Sequence, residues 1–341
     1  MQNFDLTLDD NSSTAPITLL CKAAGDALRM QILRVLQQNS YGVLELCQVF
    51  NIRQSAMSHH LKILTHAGLV SKRREGTTLF YRRNLGNPRS DLQELQTTLF
   101  RSLDQLLLND KITAQVSQIN DERSAASVAF FNSNATRFEA NQDLIASWSD
   151  YGDGVENFLD ANLASTSVAI EIGPGYGQFL GKLSTSFERV IALDNSAEML
   201  EQCRQRAALQ NLPNIQFVHG DPRRARSLKL RADCVSLNMV LHHNPVPAEI
   251  ISDCAALLNA GGMLLITDLC DHNQQWTRES CGDLWLGFEP EQLAQWATSV
   301  GLIEGSSLYL AQRNGFRVQL RHFAKPLAMP ANNISELLLK T

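Results

Sequence analysis

Hydrophobic positions along the chain fall into two regimes. Up to about residue 110 they recur at helical spacing, as with Leu28, Ile32, Val35 and Leu36 over residues 26–38. Asn39 to Gly42 breaks that helix. Val43 to Phe50 reads as a short apolar helix, Asn51 to Arg53 as a turn, and Gln54 to Ala67 as a second helix stopped by Gly68. Leu69–Arg74 and Thr77–Arg82 alternate as strands around Glu75 and Gly76, which predicts a hairpin with a basic tip. Arg89 to Leu108 reads as one long helix, with Leu92, Leu95, Leu99, Leu103 and Leu106 in a stripe. Such a stripe completes a core, forms a dimer seam, or does both.

From Val168 onward the pattern changes to short apolar runs separated by helix-like segments. Val168–Ile172, Arg189–Asp194, Asn214–Asp221, Ala232–Asn238 and Gly261–Asp268 are the runs. This alternation predicts a doubly wound α/β sheet with a ligand at the carboxyl ends of its strands. An amphipathic helix over Pro290–Val300 and closing antiparallel strands near Leu308–Ala311 and Phe316–Phe323 follow. The expected organisation is a flexible arm over 1–16 and a winged helix-turn-helix over 17–110. A helical segment over 111–160, the sheet domain over 161–325 and a tail over 326–341 complete it.

The first run ends in Glu171, and Gly173, Gly175 and Gly177 follow at alternate positions. Glycine lets a backbone turn with positive φ and approach a ligand without a Cβ in between. The spacing is not that of dinucleotide enzymes, and it implies no pyrophosphate. Glu171 and Asp194 end consecutive buried strands, where a carboxylate is costly without a partner. Ligand contact explains both better than accident does. Asp221 is weaker, because Gly-Asp also makes ordinary turns.

Composition adds the partner. Across 341 residues the net charge is −5, yet residues 1–120 carry 13 Lys/Arg against 10 Asp/Glu. Between Asn51 and Ser90 the bases are Arg53, Lys62, Lys72, Arg73, Arg74, Arg82, Arg83 and Arg89, against Glu75 alone. A basic patch within an acidic chain is the footprint expected for DNA. On the second short helix Gln54, Ser55, Ser58, His59 and Lys62 are the candidate groove contacts, with Arg73, Arg74 and Thr77 on the wing. Seven scattered cysteines without Cys-x-x-Cys pairs favour reduced thiols and a cytoplasmic protein. No apolar run reaches the roughly 20 residues a membrane span needs, and the first residues lack signal-peptide character.

Two resemblances follow from these residues. Ala24–Arg29, Ser58-x-His60-Leu61, Ala67-Gly68-Leu69-Val70 and Arg73-Arg-Glu-Gly76 resemble the ArsR-type repressors, over about Thr18 to Leu108. That resemblance implies operator DNA bound by a homodimer. The family's soft-metal sensors carry Cys-x-Cys where Cys47 here stands alone, so a core cysteine and no metal is the expectation. Glu171 to Gly177, Asp194 with Asn195 to Met199, Gly220-Asp221, and Asn238 to His243 resemble the class I S-adenosylmethionine (SAM) methyltransferases. That resemblance implies SAM or S-adenosylhomocysteine (SAH) as ligand. It assigns Asp194, Asn195 and Met199 to the ribose side, Gly220 and Asp221 to adenine, and Asn238 to the methyl-facing segment. It also implies that the segment before the first strand folds over the ligand, with a linker helix docked on the sheet as the alternative.

His242 and His243 lie where a general base could reach an acceptor, or where one packs beneath the ligand and the other caps a helix. The Asn-Pro-Pro-Tyr/Phe motif of amino-methylating enzymes is absent; the chain reads Asn244-Pro-Val-Pro247. Joined ArsR-type and methyltransferase domains resemble bacterial regulators of methionine and SAH recycling. The expectation is a repressor whose second domain senses SAM or SAH; a small-molecule methyltransferase carrying a DNA-binding domain is the alternative.

Overall fold

The computed structural model describes residues 14–75, 78–84, 92–134 and 137–327. The chain divides into two compact units between Arg123 and Ser124.

The first unit opens with helix α1 (Ala15–Ala24), which begins inside the segment expected to be an arm. Pro16 sits in its first turn, where a missing N–H costs nothing. The rest of that arm, residues 1–13, lies outside the described residues. Helix α2 (Ala27–Val35) is capped by Asp26, whose carboxylate accepts the Arg29 N–H at 2.9 Å. A short strand β1 (Tyr41–Gly42) leads into helix α3 (Val43–Phe50), where the Glu45 carboxylate accepts the Gly42 N–H at 2.7 Å. Asn51, in left-handed conformation, ends α3.

Helix α4 (Gln54–His66) buries Met57, Leu61 and Leu64 on one face, and Gly68 at φ +69° turns the chain out of it. Strands β2 (Val70–Glu75) and β3 (Thr78–Arg83) form the hairpin, and β3 also pairs with β1, all antiparallel. The unit is a winged helix-turn-helix. Thr77 and the C-terminal tail beyond residue 327 fall outside the described residues.

Two expectations for this unit fail. The long helix expected over 89–108, of which residues 89–91 lie outside the described residues, ends early: α5 spans Gln93–Asp104, and a new helix, α6 (Asp110–Asn134), starts six residues later. The cause is local. The Leu106 N–H bonds Leu103 in a tight last turn, Arg34 takes the Leu106 carbonyl at 3.0 Å, and the Asn109 side chain accepts the Lys111 N–H at 2.8 Å. The leucine stripe is thereby split. Leu103 is buried, Leu99 packs against the core, and Leu95 and Leu106 stay exposed. Arg83 also leaves the basic patch. It is 5% exposed, donates to the Leu33 carbonyl at 2.6 Å, pairs with Asp104 at 2.8 Å and stacks on Phe100.

The second unit adds α7 (Phe138–Gln142) and α8 (Trp148–Asn162), then β4 (Val168–Ile172), α9 (Leu180–Ser186) and β5 (Arg189–Asp194). Helix α10 (Ala197–Leu209), β6 (Ile215–His219), α11 (Pro222–Ser227) and β7 (Ala232–Asn238) follow. A 3-10 turn over Leu241–His243 leads to α12 (Pro247–Leu257), β8 (Leu258–Leu269), α13 (Trp276–Cys281), α14 (Pro290–Ser299), β9 (Ile303–Ala311) and β10 (Arg317–Ala324). The sheet order is β6-β5-β4-β7-β8-β10-β9. The first five strands pair parallel, and β10 pairs antiparallel with both β8 and β9.

Helices cover both faces, so the parallel strands read as nearly continuous apolar runs. Ala169–Ile172 and Val190–Leu193 are all buried. The chain leaves β4 in one direction and returns on its other side at β7, which makes β4/β7 the switch point of the sheet. Ile172 pairs with both Leu193 and Leu237. That register brings Gly173, Asp194 and Asn238 level at one end. No helix among the described residues is long and apolar enough to cross a membrane.

Candidate functional site

Two surfaces carry the residues singled out from the sequence. On α4, Gln54, Ser55, Ser58, His59 and Lys62 are all exposed, opposite the buried Met57, Leu61 and Leu64. Arg73 and Arg74 lie on β2, opposite Phe80 and Leu79 of β3, and Arg74 is the more exposed of the two. An exposed polar helix face beside a basic hairpin suits a major groove and its flanking phosphates. Cys47 is half-buried against the core of this unit, and burial raises its thiol.

The second surface is a cleft at the carboxyl ends of β4, β5 and β7. It encloses about 1100 Å³, counting space open to solvent. Gly173, Gly175, Asp194, Asn195, Met199, Gly220, Asp221, Asn238 and His243 line it. Glu171, Gly177 and His242 are not among its lining residues.

The three loop glycines do different work, although all have positive φ. A Cβ on Gly173 would meet Val240 Cγ2 at 2.3 Å, and one on Gly177 would meet Cys203 Sγ at 2.9 Å. Those two let the loop pack on its own neighbours. A Cβ on Gly175 would meet nothing within 4 Å, so this glycine faces the open cleft.

The acids differ in the same way. Asp194 Oδ1 accepts the Ser196 N–H at 2.8 Å, and burial raises its carboxyl to about 6. Asp221 caps α11 by accepting the Arg224 N–H at 2.8 Å, which is the ordinary turn role weighed for it. Glu171 is buried inside β4, where desolvation raises its carboxyl to about 8. Its Oε2 and the Oδ1 of Asn238 have no hydrogen-bond partner among the described residues. Leaving such groups unpaired is costly, on the order of 1–3 kcal/mol each, so a polar ligand in the cleft fits Asn238.

The segment before β4 supplies the remaining wall. Ser127 and Phe131 of α6, Glu139 and Gln142 of α7, then Asp143, Trp148 and Tyr151 line the cleft. Sequence analysis placed this segment over the ligand, or docked on the sheet, without assigning any of its residues. It also missed Met239, a non-glycine residue at φ +53° in the wall. Strain of that kind collects at binding sites, but the sequence signals no positive φ at a methionine.

His242 is fully buried, with Nδ1 2.7 Å from Asp268. It is shut off from an acceptor in the cleft. Burial opposes its protonation, but the carboxylates of Asp268 and Asp283 outweigh that and raise it. His243 reaches the cleft wall, its ring 4.9 Å from that of Phe131, and burial followed by the His242 charge holds it well below the usual range.

A DNA-binding winged helix joined to a methyltransferase-type sheet with a ligand cleft is therefore the class of molecule that this fold defines. Residues 26–72 match the bacterial regulatory protein arsR family, and residues 170–266 match the methyltransferase domain family. The transcriptional activator HlyU of Vibrio cholerae is 40% identical over 74 residues, 22% of this chain and 67% of that one. The arsenical resistance operon repressor of Bacillus subtilis is 36% identical over 81 residues, 24% of this chain and 77% of that one. The chain belongs to the arsR family of bacterial regulators through its first unit, and carries a methyltransferase domain in its second. A 37.1 kDa transposon protein of Streptomyces fradiae is 34% identical over 101 residues, and the match spans only 29% of either chain. Among solved structures, the N-methyltransferase NodS of Bradyrhizobium japonicum in complex with SAH is 18% identical with a TM-score of 0.44. That match covers 55% of this chain and 98% of that one.

Proposed function

We propose that the protein is a transcriptional repressor that binds operator DNA as a homodimer, and that SAM or SAH in the cleft of the second unit controls that binding. The observation that carries the reading is the cleft edge. Gly175 fronts open space there, two residues beyond Gly173, which is level with Asp194 and with Asn238, whose Oδ1 is unpaired among the described residues. Asp194 would accept the ribose hydroxyls, Gly175 would let the backbone approach the ligand, and Asn238 would meet the sulfur end. SAM, when bound, supplies a sulfonium methyl group, and SAH lacks both the methyl and the charge. A polar site can discriminate between them.

Helix α6 is the candidate link, because it contains the division between the units. Arg123 closes on Glu45 at 2.6 Å and lies over the Tyr41 ring, at the start of α3. One and two turns further on, Ser127 and Phe131 line the cleft. A ligand that shifts α6 would disturb the helix on which α4 packs. The exposed Leu95 and Leu106 are the proposed dimer contacts.

Calorimetry on the full chain tests the ligand half. SAM or SAH should bind at one site per chain, and Asp194→Ala should weaken it about 10- to 100-fold, as a lost charged hydrogen bond would. Equal affinity in that variant would overturn the assignment of Asp194. Rapid methylation of an added small-molecule acceptor by the same preparation would instead favour the methyltransferase reading, with His243, the histidine that lines the cleft, as its candidate base.

A further inference from the structure

Beneath the cleft floor a second cluster forms where two distant segments meet. His242 and His243 follow β7, and Asp283 follows α13. The Leu284 and Trp285 N–H groups both donate to the His242 carbonyl, at 3.0 and 3.1 Å, and Trp285 Nε1 donates to the Asn244 carbonyl at 2.7 Å. Ligand atoms of His242, His243 and Asp283 all lie within 4.8 Å of one another, and all three residues are buried. Asp283 Oδ1 is 3.6 Å from His242 Nε2 and 3.6 Å from His243 Nδ1.

We propose that His242, His243 and Asp283 form a binding site for one divalent transition-metal ion, with zinc as the best fit. Two imidazoles and one carboxylate are ligands that zinc takes. Metal–ligand bonds of about 2.0–2.2 Å in a tetrahedron place neighbouring donor atoms roughly 3.3–3.6 Å apart, which the two gaps to Asp283 match, while the two histidine donors lie within 4.8 Å of each other.

The same gaps are too long for hydrogen bonds. His242 therefore bonds Asp268 through Nδ1, and its Nε2 makes no hydrogen bond to Asp283. Neither Asp283 oxygen, nor His242 Nε2, has a hydrogen-bond partner among the described residues. The nearby Thr277 hydroxyl, whose influence lowers the Asp283 carboxyl against the rise from burial, lies 3.3 Å from the Gln274 carbonyl and makes no hydrogen bond of normal geometry to Asp283. The contact of His243 Nδ1 with the Gly282 carbonyl, at 3.3 Å, is long and can give way.

Asp268 acts as an orienting group. It holds His242 Nδ1 at 2.7 Å and accepts the Leu241 and Leu269 N–H groups at 3.0 and 2.7 Å. This turns Nε2 toward Asp283, as carboxylate–histidine pairs do behind metal ligands. Two carboxylates beside neutral imidazoles balance a divalent charge. His243 reaches the cleft wall, so the fourth position would open toward the cleft. His243 also lines the cleft, but metal binding is read without SAM or SAH, so its failure is distinguishable from failure of the nucleoside reading.

The test uses the full chain stripped of metal by chelator dialysis, then titrated with zinc against a chromophoric chelator and, separately, with cobalt. One ion per chain should bind and raise the thermal midpoint. His242→Gln and Asp283→Asn should each weaken binding at least tenfold, and Asp268→Asn should weaken it about 10- to 100-fold. His272→Gln, outside the cluster, should leave it unchanged. Should a buried variant fail to fold, the wild-type cobalt spectrum decides: bands of low coordination without thiolate charge transfer are expected. No saturable binding, a thiolate charge-transfer band, or equal affinity in the folded variants would overturn the site.

Discussion

On α4 the candidate contacts point outward; in the second unit several of the candidate acids are buried. Gln54, Ser58 and Lys62 stand in solvent on one helix face, whereas Glu171 and Asp283 are buried beneath or beside the cleft. The physics separates accordingly. Exposed charges are screened by salt and act through their sum. Buried ones are governed by desolvation and act through single protons and single hydrogen bonds. Substitutions on α4 or the wing should therefore read out in salt dependence, and those in the cleft in affinity and pH.

The largest effect is expected inside the glycine loop. Gly175→Val places a β-branched side chain at φ +55° in the open cleft, and nucleoside binding should fall more than about a hundredfold by calorimetry, given the close backbone approach the site needs. Gly173→Ala sharpens the contrast. Its Cβ would strike Val240, so it should lower the thermal midpoint more than Gly175→Ala does. A larger loss of stability at Gly175 would contradict the division of roles between the two glycines.

A pH effect comes next. Glu171 keeps its proton in the native chain up to about 8, against 4.5 for an ordinary glutamate. Between those values the unfolded chain has lost a proton that the native chain retains. The stability contributed by this group is therefore full below about 4.5 and lost as pH rises through about 8. Glu171→Gln should flatten the fall of the thermal midpoint across that window; an unchanged slope would place the titration on another group. Asp194, raised to about 6, should weaken ligand binding as pH drops below that value, because its protonated form loses charge-assisted bonding.

Smaller effects belong to the first unit. Arg73→Ala with Arg74→Ala should weaken DNA binding to all sequences and reduce the salt slope by up to about two units. Gln54→Ala or Ser58→Ala should relax sequence preference by about 1–3 kcal/mol per base contact. An unchanged slope in the double variant would remove the wing from the interface.

The same contrast explains what could be read from the sequence. Elements of the first unit are local, so α3 and α4 follow from helical spacing, Gly68 and the basic residues. The stop at Asp104 was hidden, because the leucine stripe continues while capping by Asn109 restarts the helix. Arg83 reads as one more surface base until the Leu33 carbonyl and Asp104 are seen to hold it.

In the second unit the strand ends and glycines mark one wall of the cleft, since their spacing is local too. The facing wall, from Ser127 to Tyr151, is assembled by tertiary packing with no periodic signature. Asp283 lies 40 residues beyond His243 in sequence, and only the sheet brings them together.

The central claim is that ligand in the cleft changes affinity for DNA. A DNA-shift titration of the full chain at saturating SAM and, separately, saturating SAH tests it most directly. SAH should release operator DNA with a 5- to 150-fold loss of affinity, the range of ~1–3 kcal/mol of coupling, and Asp194→Ala should not respond. DNA affinity that stays the same with both ligands at saturation would contradict the account.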